Sequence, residues 1–183
     1  MYKIETYAVM PKQHIEDALS TYTAEHFSNY PEICYTNIKN QEVILDLYHN
    51  EDIDPRHMDV CIHIKYNDVD ILGYNVNGLN LWEDITTSLE NLVENTSSNI
   101  LFGIEPIKLV LEDLGKNSLV FKVVDEFTLK PMYSHILKRD EFIREILKAG
   151  IEYYTALVNY NFPRRERIVE KINRLNALEH ELI

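Results

Sequence analysis

The stretch from Lys138 to Tyr160 constrains this chain more than any other. Phe142, Ile143, Ile146, Leu147, Ile151, Tyr154, Leu157 and Val158 recur at the spacing that places side chains on one face of a 3.6-residue helix. Arg139, Asp140, Glu141, Arg144, Glu145, Lys148 and Glu152 fill much of the opposite face, which reads as a solvated back. A helix of about 22 residues spans about 33 Å at 1.5 Å per residue, roughly the width of a small domain. Any fold for this chain must therefore supply an apolar layer wide enough for that stripe to cover, and a sheet is the natural one.

The rest of the sequence supplies strands. Residues 1–10 alternate as a strand that Pro11 stops, and Pro11–Phe27 carries Ile15, Ala18, Leu19 and Tyr22 at helical spacing. Ile33–Ile38 and Val43–His49 read as a hairpin across Lys39-Asn40-Gln41. From Met58 the alternation is strict: Met58, Val60, Ile62, Ile64 and Tyr66 face a core, while Asp59, Cys61, His63 and Lys65 face the other way, with Val69–Val76 returning alongside.

Leu81–Glu94 reads as a helix, with Asn80 and Glu83 at the spacing of a capping box and Thr96-Ser97-Ser98-Asn99 ending it. Ile107–Glu112 and Leu119–Val124 pair as a hairpin across a turn in which Gly115 or Asn117 takes positive φ. Pro131 falls in a connection, and Pro163 starts a last helix from Arg164 to about His180, with Ile168, Ile172, Leu175 and Leu182 on its stripe. There is no repeat and no Gly/Ser linker. The expectation is a single α+β domain over residues 1–183: a mostly antiparallel sheet covered on one face by helices, with two helices at the C-terminal end.

Charge bounds the function. The net charge is −12, and residues 1–137 hold 22 acidic against 9 basic side chains, whereas 138–183 hold 8 against 9. A surface of that sign repels nucleic acid and anionic membranes and attracts a basic protein partner. The N-terminus lacks a secretory pattern, and no stretch approaches the roughly 20 apolar residues of a membrane span. A cytoplasmic protein is expected, with Cys34 and Cys61 free.

Motifs for chemistry are missing. His49, His57, Cys61 and His63 lie close in sequence, with Asp52, Asp54 and Asp59 between them, but no paired spacing such as HxxxH or CxxC makes them a metal site. The five glycines are isolated, so no phosphate-cradling loop is indicated, and no GxSxG elbow marks a nucleophile. His135 near Arg139 lacks an identifiable acid–base partner. No cofactor, no metal and no catalytic residue is indicated. The 12 tyrosines are the remaining signal, because tyrosine offers large contact area with a polar tip.

Leu81-Trp82 opening one helix, Glu105-Pro106-Ile107 opening a hairpin, and Asp140-Glu141-Phe142-Ile143 opening a helix that ends in Tyr153-Tyr154 carry a resemblance over residues 40–160. In that layout the chain resembles the small acidic immunity proteins of bacterial polymorphic toxin systems. The resemblance implies a non-catalytic protein that binds and neutralises a cognate toxin, often a basic nuclease domain. It carries over no particular residue. Charge and aromatic content point to Glu51, Asp52, Asp54, Asp59, Asp68 and Asp70, flanked by Tyr48, Tyr66 and Tyr74, as the partner-binding surface. Two other readings compete: a homodimer or structural protein docking through the Arg164, Arg165 and Arg167 end of the last helix, and an enzyme or small-ligand carrier with a pocket between sheet and helices.

Overall fold

The long apolar stripe folds as expected: helix Arg139–Asn159 buries Phe142, Ile143, Ile146, Leu147, Tyr153, Tyr154 and Leu157. The computed structural model describes residues 1–55, 57–103 and 106–183; Arg56 of the acidic loop and Glu105 of the Glu105-Pro106-Ile107 run lie outside them. In chain order the elements are β1 (Tyr2–Val9), α1 (Lys12–Leu19), α2 (Ala24–Asn29), α3 (Pro31–Cys34), β2 (Tyr35–Asn37), α4 (Gln41–His49), β3 (Val60–Tyr66), β4 (Val69–Leu72) and β5 (Asn77–Gly78). Then follow α5 (Leu81–Glu94), β6 (Ser97–Leu101), β7 (Ile107–Gly115), β8 (Ser118–Asp125), β9 (Pro131–Lys138), α6 (Arg139–Asn159) and α7 (Arg165–Leu182). The architecture is α+β, and its last two elements are helices.

The strands divide between two antiparallel sheets. Sheet A has the order β2-β1-β3-β4, with β5 also paired to β3; sheet B has the order β6-β7-β8-β9. One hydrophobic cluster spans both. Phe142 of α6 joins them, its ring 5.7 Å from Tyr2 of sheet A and 5.6 Å from Phe121 of sheet B. Trp82 of α5 is buried behind it, stacked on Tyr153 at 6.0 Å and donating its indole N–H to Thr6 Oγ1 at 3.1 Å. That bond matters because an indole N–H buried without an acceptor would cost the full desolvation of the group. Gly150 of α6 allows this approach: a Cβ there would meet Trp82 carbons at 3.1 Å and Leu175 of α7 at 3.0 Å.

Several local expectations are corrected. Val43–His49 is not the second strand of a hairpin but lies in α4, whose Ile44 and Leu47 are one helical turn apart and buried; a short apolar run cannot by itself distinguish a strand from a buried helix face. The helix expected over Pro11–Phe27 breaks at Ser20, which takes φ 64° and closes α1, and α2 and α3 follow. Thr96–Asn99 is not a plain terminator, because Ser97–Leu101 forms β6. Its polar Ser98 is buried through hydrogen bonds with Ser88 and Asn91 of α5, each 3.2 Å. The Pro131 connection is itself β9, paired along β8.

No capping box forms at Asn80, which adopts φ 64°; Glu83 turns instead to α7, where it meets Lys171 at 2.5 Å and Arg174 at 3.1 Å. Pro163 does not open the last helix, because Arg164 takes a left-handed conformation (φ 65°) and α7 begins after it. The β7–β8 hairpin is as expected, with Gly115, Lys116 and Asn117 all at positive φ.

The two sheets differ in cover. Helices α5, α6 and α7 pack over the shared core. Short helices α1–α3 bury part of the opposite face of sheet A around Ile15, Phe27, Cys34, Tyr35 and Cys61. On sheet B the opposite face has no helix over it among the described residues.

Candidate interaction surface

The residues singled out from sequence do not form one patch. Asp59 precedes β3 and Asp68 follows it, so the strand's seven residues separate them by about 23 Å at 3.3 Å per residue. Asp68 is exposed in the Asn67-Asp68 turn, both residues at positive φ. Asp70 sits 2.9 Å from His63 Nε2 and 3.7 Å from Lys65 Nζ, so its charge is largely answered within the chain.

The tyrosines are packing residues more than free anchors. Tyr66 lies against Tyr2 at 4.5 Å, Tyr48 against Phe162 at 5.0 Å, and Tyr74 over His63 at 4.1 Å.

Glu51 and Asp52, by contrast, are exposed at the end of α4 and come close to α1, where His14 lies 4.0 Å from Asp52. Between these helices runs an open groove with Met10, Val43, Leu45 and Leu47 along it and His14, Glu42, Asp46 and His49 at its rim. Residues 12–59 hold 10 acidic and 3 basic side chains, and Asp17, Glu25, Glu32, Glu42, Asp46, Glu51, Asp52 and Asp59 are all exposed. Of the basic residues described there, Lys39 reaches away to Glu152 at 2.6 Å and Lys12 lies 3.5 Å from Glu16, and the two offset little of this charge. The carboxylates brought together are those beside the α1–α4 groove, Glu42 and Asp46 on its rim and Asp52 near His14, and the sequence pattern does not single out the first two. That omission followed from reading α4 as a strand.

Glu51 and Asp54 also border a second groove, with Tyr48, Ile53, Pro55, Pro163 and Arg164. Next to it, Trp82, Tyr153, Tyr154, Ile168, Arg167 and Lys171 help line a cleft of about 240 Å³. This is below the roughly 300–1,000 Å³ usual for small-molecule pockets.

A polar cluster lies on the outer face of sheet A. Tyr7 donates to Glu5 at 3.0 Å, Lys3 pairs with Glu5 at 2.7 Å, Tyr35 donates to the Tyr74 carbonyl at 2.6 Å, and Asn77 donates to the Tyr35 hydroxyl at 2.9 Å. Burial alone would raise the Glu5 carboxyl, but the hydrogen bonds from Lys3 and Tyr7 outweigh it and hold it below the usual range. Burial drives the Tyr35 hydroxyl far above its ordinary value and pushes the Cys61 thiol up to about 12, despite a Tyr35 hydrogen bond that lowers it. A thiol so held is protonated at neutral pH, and Cys61 is a poor nucleophile even though His63 shares its strand face. The buried Cys34 thiol is likewise raised by burial.

Among the described residues no group of three or more His, Cys, Asp or Glu side chains could hold a metal ion, and no helix is long and apolar enough to cross a membrane. The class defined here is an α+β protein of two antiparallel sheets bearing an acidic helical face. No known protein family, curated protein or solved structure matches the chain.

Proposed function

We propose that this is a non-catalytic protein-binding protein of the cytoplasm that captures and neutralises a basic toxin domain, as the immunity proteins it resembles do. The observation that carries this reading is the groove between α1 and α4. Its apolar residues Met10, Val43, Leu45 and Leu47 lie beside the carboxylates Glu42, Asp46 and Asp52, in a stretch, residues 12–59, with 10 acidic and 3 basic side chains. A basic helix or loop would seat its apolar side on those residues and its Lys or Arg side chains against the rim. Charge of this density also accelerates encounter through long-range attraction that salt screens.

The partner to seek is a basic, toxin-like domain, and a large neighbouring reading frame that ended in one would be the first candidate. Co-expression should restore growth that the domain alone arrests. In stopped-flow binding, Asp46→Lys with Asp52→Lys should slow association at least about tenfold at low salt and much less at high salt. A domain that binds the double variant as fast as the native chain at low salt would remove the acidic face from the reading.

A further inference from the structure

Sheet B presents an uncovered face built from alternate residues of all four strands. Paired residues run in rows across it: Leu101, Lys108 and Val124; then Asn99, Val110, Lys122 and Ser134; then Ser97, Glu112, Val120 and Ile136. Met132 and the β8–β9 turn extend the first row. Phe127 is 83 % exposed, Leu129 73 %, Ile136 72 % and Leu101 56 %. Leu101 and Ile136 stand at opposite corners of this face, with half-buried Val110 and Val124, buried Val120 and several polar or charged side chains between them, a mixed surface of the kind that protein interfaces use.

The turn that carries Phe127 and Leu129 is tied down. Asp125 accepts from the Thr128 amide at 2.7 Å and from its hydroxyl at 2.9 Å, Glu126 N–H donates to the Pro106 carbonyl at 2.7 Å, and Leu129 holds φ 56°. Two large apolar side chains are thus presented in a fixed geometry, which lowers the ordering cost of docking.

We propose that this face is occupied by a second copy of the chain, in a two-fold dimer whose axis lies parallel to the strands between β7 and β8. Under that operation β7 faces β8 of the other copy and β6 faces β9. Leu101 then meets Met132, Asn99 meets Ser134, and Lys122 lies over Val110 with Glu112 one row away. Lys122 and Glu112 are the reason for choosing a second copy over a foreign partner. Among the described residues neither has an ion partner in its own chain, whereas Lys108 is already paired with Glu126 at 2.9 Å. A two-fold operator requires that where residue i meets j, j also meets i. Lys122 and Glu112, both on this face, satisfy that requirement twice, as Lys122 to Glu112 in each direction.

The remaining electrostatics agree. The elements from Ile107 to Lys138 hold five basic and four acidic residues in a chain of net charge −12. Two strongly acidic molecules can therefore meet on this face without apposing their α1–α4 segments. Three strands of eight or nine residues and one of five, about 4.8 Å apart, give a footprint of roughly 500 Å². The hairpin tip adds to this, and a standard interface removes about 800 Å² per partner. The dimer does not rest on the toxin-binding reading, since the acidic groove lies on other elements.

Multi-angle light scattering and sedimentation on the full chain across a concentration series test it. The native chain should be a dimer that persists at high salt. Phe127→Asp with Ile136→Asp should be monomeric and still unfold in one cooperative transition, because both side chains are exposed. Lys122→Glu and Glu112→Lys should each raise the dimer dissociation constant at least about tenfold, a loss of about 1.4 kcal/mol, and the combined charge swap should restore it. A native chain that stays monomeric overturns the proposal. So does a dimer indifferent to the Phe127 and Ile136 changes, or a charge swap no better than the single variants.

Discussion

Sheets A and B are built from strands of similar pattern, yet they stand in different surroundings. In β3 the residues facing away from the main core, Cys61 and His63, are buried because α1–α3 and the Tyr7, Tyr35 and Tyr74 rings close over them. In β9 the corresponding outward residue, Ile136, lies largely in solvent. The polar His63 is thus dry and the apolar Ile136 wet. Alternation along a strand reports that its two faces differ; what lies over each face is decided by elements distant in sequence.

The contrast can be broken first by placing the same charge in both settings. Ile146→Asp sets a carboxylate where α6 is fully buried and should cost several kcal/mol, enough to abolish the cooperative melt followed by circular dichroism. Ile136→Asp on the open face should change monomer stability by less than about 0.5 kcal/mol. Equal losses would show that the open face is covered within the chain.

The buried outer face of sheet A makes a second, pH-dependent difference. Cys61 is raised in the folded state from 9.0 to about 12. The unfolded chain therefore releases this proton first, so the contribution of Cys61 to stability is constant well below pH 9 and is lost as the pH rises toward 12. The buried Tyr35, Tyr153 and Tyr154, whose hydroxyls are also raised, push the same way. At pH 8 neither Cys34 nor Cys61 should react with an aromatic disulfide reagent until the chain is unfolded; rapid labelling of the native protein would show that α1–α3 do not seal that face.

The smallest effect concerns the junction between helices. Gly to Ala inside a helix ordinarily stabilises by about 1 kcal/mol. Gly150→Ala should reverse that sign and destabilise by about 1 kcal/mol, because its methyl would press on Trp82 and Leu175. A rise in melting temperature would mean that α6, α5 and α7 are packed more loosely than described.

How much of this was legible in sequence depended on length and on partners. Helices α5 and α6 and the β7–β8 hairpin carry long periodic signals or a specific turn, and they stand within a residue or two of where the pattern put them, apart from a few residues at the hairpin's turn end. Strand β6 was hidden because Ser97, Ser98 and Asn99 look like a terminator, and only the Ser88 and Asn91 side chains of α5 make Ser98 tolerable inside. Strand β9 opens with Pro131 and mixes polar with apolar residues, as an edge strand can. For the candidate site, Glu51 and Asp52 were found by charge alone. Glu42 and Asp46 were not, because their alignment along the groove exists only once α4 is a helix.

Trp82 is the only tryptophan of the chain, and its indole touches β1 through Thr6, α6 through Tyr153 and Gly150, and belongs to α5. It is in effect an optical probe already installed at the point where these layers meet. Its emission reports whether the helices remain seated on sheet A, while binding events at the acidic groove or on the open face of sheet B take place beyond its view. A single intrinsic signal thereby separates loss of the fold from occupancy of either surface.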